Sequence, residues 1–139
     1  MTLTRRDISE LLERHGLEPS RALGQNFLAD PNTVRRIVRL AGIDANSNVV
    51  EIGPGVGSLT TELAATGAAV VAIELDRHLL PVLAETVEPL GVRVVHGDAL
   101  GIDWSNVLGD DRHWHLVANL PYNVATTIVL DLLDHATQV

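Results

Sequence analysis

The chain has no cysteine and no lysine, and its 139 residues include only one tyrosine, one phenylalanine and two tryptophans. Without cysteine, neither a disulfide framework nor a thiolate-bound metal is available. Without lysine, every cation is an arginine, which we read as a trait of genome composition. Long apolar runs are missing too. Met1 to Arg14 mixes Arg, Asp and Glu and has no apolar core of the signal-peptide kind, and no stretch approaches the length of a membrane span. The expectation is a soluble, cytoplasmic protein that does not engage a membrane. Low-complexity segments and internal repeats are also absent. What remains is 46% hydrophobic, which excludes disorder and suffices for one domain with a real core.

The formal net charge of −8 argues at first against a nucleic-acid partner, but the charge is unevenly spread. Residues 1–42 carry seven arginines (Arg5, Arg6, Arg14, Arg21, Arg35, Arg36, Arg39) against five acids, leaving −10 for the remainder. Phosphate contacts need local rather than net positive charge. An ordinary solvated helix face accounts equally well for most of these arginines. The six histidines (His15, His78, His96, His113, His115, His135) form no compact metal-ligand spacing with acids, so no metal site is expected. His113 and His115 are two apart and can present one face.

Apolar spacing predicts a helix over 5–15, with Ile8, Leu11 and Leu12 on one face and Gly16 at its end. Residues 21–28 have no clean period. Asp30-Pro31 opens a second helix through Val34, Ile37, Val38 and Ala41, closed at Gly42. Then the pattern changes to short apolar runs. Val49–Ile52 leads into Gly53-Pro54-Gly55-Val56-Gly57, with Ser58 read as the cap of a helix through Leu59, Leu63 and Ala64. Ala69–Ile73 ends at Glu74. Residues 76–88 read as one helix with Leu79, Leu80, Leu83 and Val87 inward and Pro81 in its first turns. Val92–Val95 ends at Gly97-Asp98. A polar connection follows, with one apolar turn from Trp104 to Leu108. Trp114–Ala118 ends at Asn119, and Val124 to Leu133 reads as a last amphipathic helix.

Continuous apolar strands alternating with helices imply a parallel sheet covered on both faces, an open α/β fold. Such sheets bind ligands at the carboxyl ends of their strands. Each strand here ends in a polar or glycine signal: Glu51/Gly53, Glu74, Asp98 and Asn119. The glycines allow a tight turn and close approach to a ligand, though a plain structural turn reads the same way. Their G-x-G-x-G spacing differs from the G-x-G-x-x-G of dinucleotide binders. Glu74, about twenty residues on, is placed to accept ribose hydroxyls, or is simply an exposed strand-end acid. Asp98 can accept from an adenine amine, or cap the turn after Gly97. Together they describe an adenosine pocket. Asn119-Leu120-Pro121-Tyr122 adds a side-chain carbonyl, a peptide carbonyl before proline, and a flat ring on which a base can stack. An ordinary half-buried tyrosine is the plain alternative for Tyr122.

Asn-Leu-Pro-Tyr after the fourth strand and Glu-Ile-Gly-Pro-Gly after the first resemble the ribosomal-RNA adenine dimethyltransferases, and Gly24-Gln25-Asn26-Phe27-Leu28 is a third matching motif. The resemblance covers essentially the whole chain. The leucine in Asn-Leu-Pro-Tyr favours the small-subunit N6,N6-dimethyltransferase branch over the macrolide-resistance enzymes. It implies a Rossmann-like, S-adenosylmethionine-dependent methyltransferase fold with a mostly parallel sheet, incomplete at the C-terminus. Residues 1–30 would be an N-terminal helix and contacting arm, and 31–139 the first four strands of the methyltransferase domain, with the family's C-terminal helical domain absent. Four strands alone would leave one sheet edge uncovered.

The implied cofactor is S-adenosylmethionine, bound by Asn26, Leu28, Gly53, Gly55, Glu74, Asp98 and Asn119. The implied catalytic segment is Asn119, Leu120, Pro121 and Tyr122, with Asn119 facing the methyl and Tyr122 stacking on the target base. The implied partners are small-subunit ribosomal RNA and the small-subunit precursor, with the full-length protein a monomer. A nucleotide-dependent oxidoreductase, a large-subunit rRNA methyltransferase of the resistance type, and a truncated, non-catalytic RNA-binding or assembly module are the competing readings.

Overall fold

The computed structural model describes residues 3–18, 31–109, 113–119 and 127–131. Five strands form one sheet: β1 (Asn48–Ile52), β2 (Ala69–Glu74), β3 (Arg93–His96), β4 (His115–Asn119) and β5 (Thr127–Asp131), in the order β3-β2-β1-β4-β5. The first four are parallel. The chain steps outward from β1 through β2 to β3, then returns to the other flank of β1 as β4. The strand order therefore reverses between β1 and β4, and that reversal opens a crevice above the carboxyl end of β1.

Successive residues of a strand face opposite sides of the sheet, so each apolar strand feeds two cores. Val49, Val70, Ala72 and Val117 meet Val34 and Val38 of α2 (Pro31–Ala41), Leu59 and Leu63 of α3 (Ser58–Ala65), and Leu83 of α4 (Leu80–Thr86). Val50, Val71 and Ile73 meet Trp114 and Leu108 of α5 (Trp104–Leu108) on the other face. A third cluster attaches α1 (Arg5–Arg14), through Ile8, Leu11 and Leu12, to Leu79 and Val82 and to Val56 of the glycine loop. Arg14 reinforces this contact with a two-pronged bond to Glu85 at 2.9 and 2.6 Å. The start of α1 is a capping box: the Asp7 N–H donates to Thr4 Oγ1 and the Thr4 N–H to Asp7 Oδ2.

Three expectations are corrected. Residues 127–131, expected within a helix from Val124 to Leu133, form β5, antiparallel to β4 with Ala118 opposite Ile128 and Asn119 opposite Thr127. Thr127, Ile128 and Val129 are β-branched and suit a pleated strand. A short apolar run does not separate helix from strand by period alone. The unpaired edge that four strands would leave on β4 is taken by this segment's backbone. The expected helix over 76–88 is divided into a 3-10 turn at Arg77–Leu79, α4, and a second 3-10 turn at Glu88–Leu90. Asp76 caps the first turn by accepting from the His78 N–H, and Pro89 lacks the N–H that would extend α4. Finally, Ser58 is the first residue of α3 rather than its cap, which is Gly57.

Leu59 is fully buried between the sheet and α2, whereas Leu90 is 47% exposed. Leu59→Ala should therefore destabilise the chain by about 2–5 kcal/mol, and Leu90→Ala by less than about 0.5 kcal/mol. Urea unfolding measures both, and equal losses would mean that the α2–α3 layer does not form the core described.

Candidate functional site

Strand register brings three of the expected site residues to one level. Ile52 of β1 lies opposite Ile73 of β2 and Ala118 of β4. The next residue along each strand path is Gly53, Glu74 and Asn119, so these three leave the sheet side by side at the point where the strand order reverses. Glu74 in turn lies opposite His96 of β3, two residues before Asp98. Residues far apart in sequence thus share one rim because parallel strands end together.

The glycine loop is held from several sides. The Gly53 N–H donates to the Ile73 carbonyl at 2.9 Å, and the Thr86 hydroxyl to the Val56 carbonyl at 3.1 Å. Gly57 has φ +97°, and a Cβ there would meet Val87 Cγ1 at 2.7 Å and Thr86 Oγ1 at 2.9 Å. Only glycine lets the loop lie this close to the end of α4. Gly53 is the opposite case: its φ is +74°, but among the described residues a Cβ would meet nothing within 4 Å, so these leave open space before it. The first turn of α3 has no side-chain cap.

Glu74 is 6% exposed. Its Oε1 accepts from the Gly55 N–H at 3.1 Å and its Oε2 from the Asp76 N–H at 2.9 Å. Burial pushes its carboxyl above the usual range, and the two backbone N–H groups pull against that shift. It is therefore not an exposed strand-end acid. Each oxygen retains lone-pair capacity for a ligand hydroxyl. Beneath it, Glu51 is fully buried, and its Oε1 accepts from the Thr60 hydroxyl of α3 at 2.5 Å. Glu51 Oε2 has no partner among the described residues. Burial pushes the Glu51 carboxyl up to about 7; the Thr60 hydroxyl lowers it and the nearby Glu74 charge raises it further. Sequence reasoning places Glu51 among the strand-end signals but gives it no role. An acid inside an otherwise apolar Val-Val-Glu-Ile strand is the available clue.

Asp98 is exposed, and its Oδ1 accepts from the Leu100 N–H at 2.9 Å. It caps the turn, which is one of the two roles its position suggests, with its other oxygen still at the rim. His96 Nε2 lies 3.1 Å from the Leu75 carbonyl and ties β3 to the segment after β2. The His113 and His115 rings meet edge to face at 5.3 Å, at the amino end of β4 and away from the rim. Asn26, Leu28, Leu120, Pro121 and Tyr122 lie outside the described residues, and Asn119 is described as the last residue of β4. The described rim offers acceptors: the buried Glu74 and the exposed Asp98 around an open glycine turn, with Glu51 sealed beneath. Such a surface suits hydroxyl and amine groups, as an adenosine-containing ligand presents, better than it suits phosphates.

A family model described as ribosomal RNA adenine dimethylase matches residues 17–139. A relative from Magnetococcus marinus named ribosomal RNA small subunit methyltransferase A is 51% identical over 134 residues, covering 92% of this chain and 47% of that protein. One of the same name from Enterococcus faecalis is 44% identical over 135 residues, covering 94% and 46%. The chain thus spans about half the length of the curated relatives it matches. Among solved structures, an RNA methyltransferase from Salinibacter ruber in complex with S-adenosyl-L-homocysteine superposes with a TM-score of 0.50 at 22% identity, covering 63% of this chain and 73% of that one. The 23S rRNA methyltransferase ErmE superposes with a TM-score of 0.50 at 25% identity, covering 64% and 46%. The expected Rossmann-like methyltransferase fold is the fold observed.

Glu51 gives this site a pH signature. Its carboxyl ionises near 4.5 in an unfolded chain and near 7 in the folded one. Between those values folding takes up a proton. The Glu51 contribution is therefore greatest below the lower value and falls as pH rises, by on the order of 1 kcal/mol per pH unit, levelling off above the higher value. Glu51→Gln keeps the acceptor for Thr60 and removes the titration. Its stability relative to the unaltered chain should rise from about pH 5 to about pH 8 in denaturant melts. A constant difference across that range would place an ionised carboxylate at Glu51 throughout.

Proposed function

Because the chain belongs to the ribosomal RNA adenine dimethylase family, we propose that it forms the cofactor-holding part of an enzyme that transfers methyl groups to the N6 amine of adenines in a small-subunit ribosomal RNA loop. The product is dimethylated, on two adjacent adenines. The full-length enzyme acts as a monomer on the small-subunit precursor. The observation that carries this reading is the shared level of Gly53, Glu74 and Asn119 at the reversal of strand order, with Glu74 buried and bonded to the glycine loop. A large-subunit substrate is the second reading, supported by the likeness to a 23S enzyme at 25% identity. The relatives at 51% and 44% identity favour the small subunit.

S-adenosylmethionine, when bound, supplies an electrophilic methyl group on a sulfonium. The chain's own residues do the rest. Gly53 and Gly55 leave room for the methionine part, Glu74 accepts the ribose hydroxyls, and Asp98 accepts the adenine amine with the oxygen its turn leaves available. Asn26 and Leu28, from the arm within residues 1–30, close the pocket, and residues 31–139 supply the sheet.

The target amine is a weak nucleophile because its lone pair is delocalised into the ring. Two acceptors on its two N–H bonds, the Asn119 side-chain oxygen and the Leu120 carbonyl, localise that pair, and Pro121 leaves the carbonyl without a competing local N–H. Positioning then supplies much of the acceleration. No strong base is required, since the amine becomes acidic as it is alkylated. Tyr122 stacks on the extruded base and offsets the few kcal/mol of extrusion by about 1–3 kcal/mol. An unpaired RNA loop is accordingly a better substrate than a duplex. After one transfer the amine keeps one N–H, which permits a second round.

Calorimetry with S-adenosylmethionine tests the pocket. Glu74→Gln and Asp98→Ala should each weaken binding by about tenfold or more, the worth of a hydrogen bond to a charged group, while Glu88→Ala should leave it unchanged. Equal affinities for all three would count against the adenosine pocket.

Single-turnover methylation of a ribosomal RNA loop tests the catalytic segment. Asn119→Ala should slow transfer by about 10²–10³ with little change in RNA affinity. Tyr122→Phe should retain most activity and Tyr122→Ala should lose the stacked base. If the phenylalanine variant were as inactive as the alanine one, the hydroxyl would be performing chemistry and the stacking role would be wrong.

A further inference from the structure

An open groove of about 600 Å³ lies between α2 and α3, lined by Asn32, Arg35, Arg36 and Arg39 on one side and by Glu62 and Thr66 on the other, over Val38 and Ala65. It is not the strand-end crevice. Thr66 leads directly toward the first residue of β2, so the groove reaches the amino end of the sheet, opposite the rim that carries Gly53 and Glu74. We propose that this groove is a landing surface for the phosphodiester backbone of RNA, through Arg35, Arg36 and Arg39. The proposal rests on the RNA-directed function proposed above and names a binding surface apart from the transfer site.

Three observations carry it. First, α2 contains three arginines and no acid, and all three are exposed. Arg35 and Arg39 stand one turn apart and Arg36 and Arg39 three residues apart, so like charges crowd one side of the helix and disfavour it. A bound polyanion relieves that repulsion. Second, Arg36 and Arg39 form no ion pair among the described residues, while Arg35 is steadied by Asn32 Oδ1 at 3.5 Å. Glu62 is the one acid among the described lining residues. Third, the chain as a whole carries −8, so this cationic strip is set against an acidic body. A polyanion is thereby repelled from most of the surface and steered to this side. Arginine's planar fork suits phosphate oxygens. A rise of about 6 Å per four helical residues is of the same order as the step between neighbouring phosphates along a strand. The apolar floor and the arginine stems suit the sugar between them.

The test is fluorescence anisotropy of the 139-residue chain with a single-stranded RNA oligonucleotide over a range of salt concentrations, with S-adenosylmethionine calorimetry alongside. The variant Arg36→Gln/Arg39→Gln removes two charges and keeps the stems, Glu62→Gln removes the opposing acid, and Arg5→Gln removes an exposed arginine of α1 outside the groove. The double variant should bind RNA more weakly and with a shallower salt dependence, the log–log slope falling by about 0.7 for each phosphate no longer neutralised. Glu62→Gln should bind RNA more tightly, and S-adenosylmethionine affinity should be the same in all forms. A double variant with the slope of Arg5→Gln, or an unaltered chain with no RNA binding at low salt, would overturn the groove as a phosphate surface. Loss of S-adenosylmethionine binding in the unaltered chain would instead overturn the methyltransferase reading, and the RNA salt slope is read independently of it.

Discussion

A carboxylate withdrawn from water must be met by donors, or it either destabilises the fold or gives up its charge. Glu74 is met by the Gly55 N–H on one oxygen and the Asp76 N–H on the other. The first of these bonds joins the end of β2 to the loop that follows β1, across the point where the candidate site opens, and the second fixes the turn after β2. The loop is then fixed from its other side by the Thr86 hydroxyl on Val56 and by the close passage of Gly57 over Val87. Val56 also packs into the cluster that attaches α1. The glycine loop is therefore a seam tied by these contacts to β2, α4 and α1.

Below that seam Glu51 and Glu74 place two acids near one another in a low-dielectric setting, and each is raised above the ordinary carboxylate range chiefly by burial. An acceptor-rich rim over buried acids favours ligands that bring hydroxyls and amines. The arginines of α2 lie on the outer helix layer instead. The acidic balance of the chain and the proposed RNA-directed function are compatible because the acceptor-rich strand ends and the arginine-bearing helix layer are separate surfaces.

Much of this is legible in the residues alone. The central parallel strands are readable because a strand buried on both faces is a largely apolar run: Val49-Val50 and Ala69–Ile73 are such runs, and Trp114–Ala118 is broken only by His115. Gly53, Glu74 and Asn119 are readable as candidate site residues because they follow those runs. Less legible is anything decided by packing against a distant segment. The stretch around Ile128-Val129-Leu130 fits either period, and its pairing with the open edge of β4 makes it a strand. Asp98 admits two roles, and the Leu100 N–H occupies one of its oxygens. Ser58 resembles a cap, yet the left-handed backbone at Gly57 starts α3 one residue earlier.

Local period and residue type are enough to set the alternation of elements, the polar signal at each strand end and the confinement of three arginines to one acid-free helix. Tertiary structure alone decided that Glu51 is sealed beneath the loop, that Glu74 commits its first two hydrogen bonds to the backbone, that α1 packs behind Val56, and that the arginines of α2 line a groove with Glu62. Each of these depends on which surfaces meet across the fold. Burial, partner and pKa are properties of a side chain's surroundings, and those surroundings come from segments that local sequence does not contain.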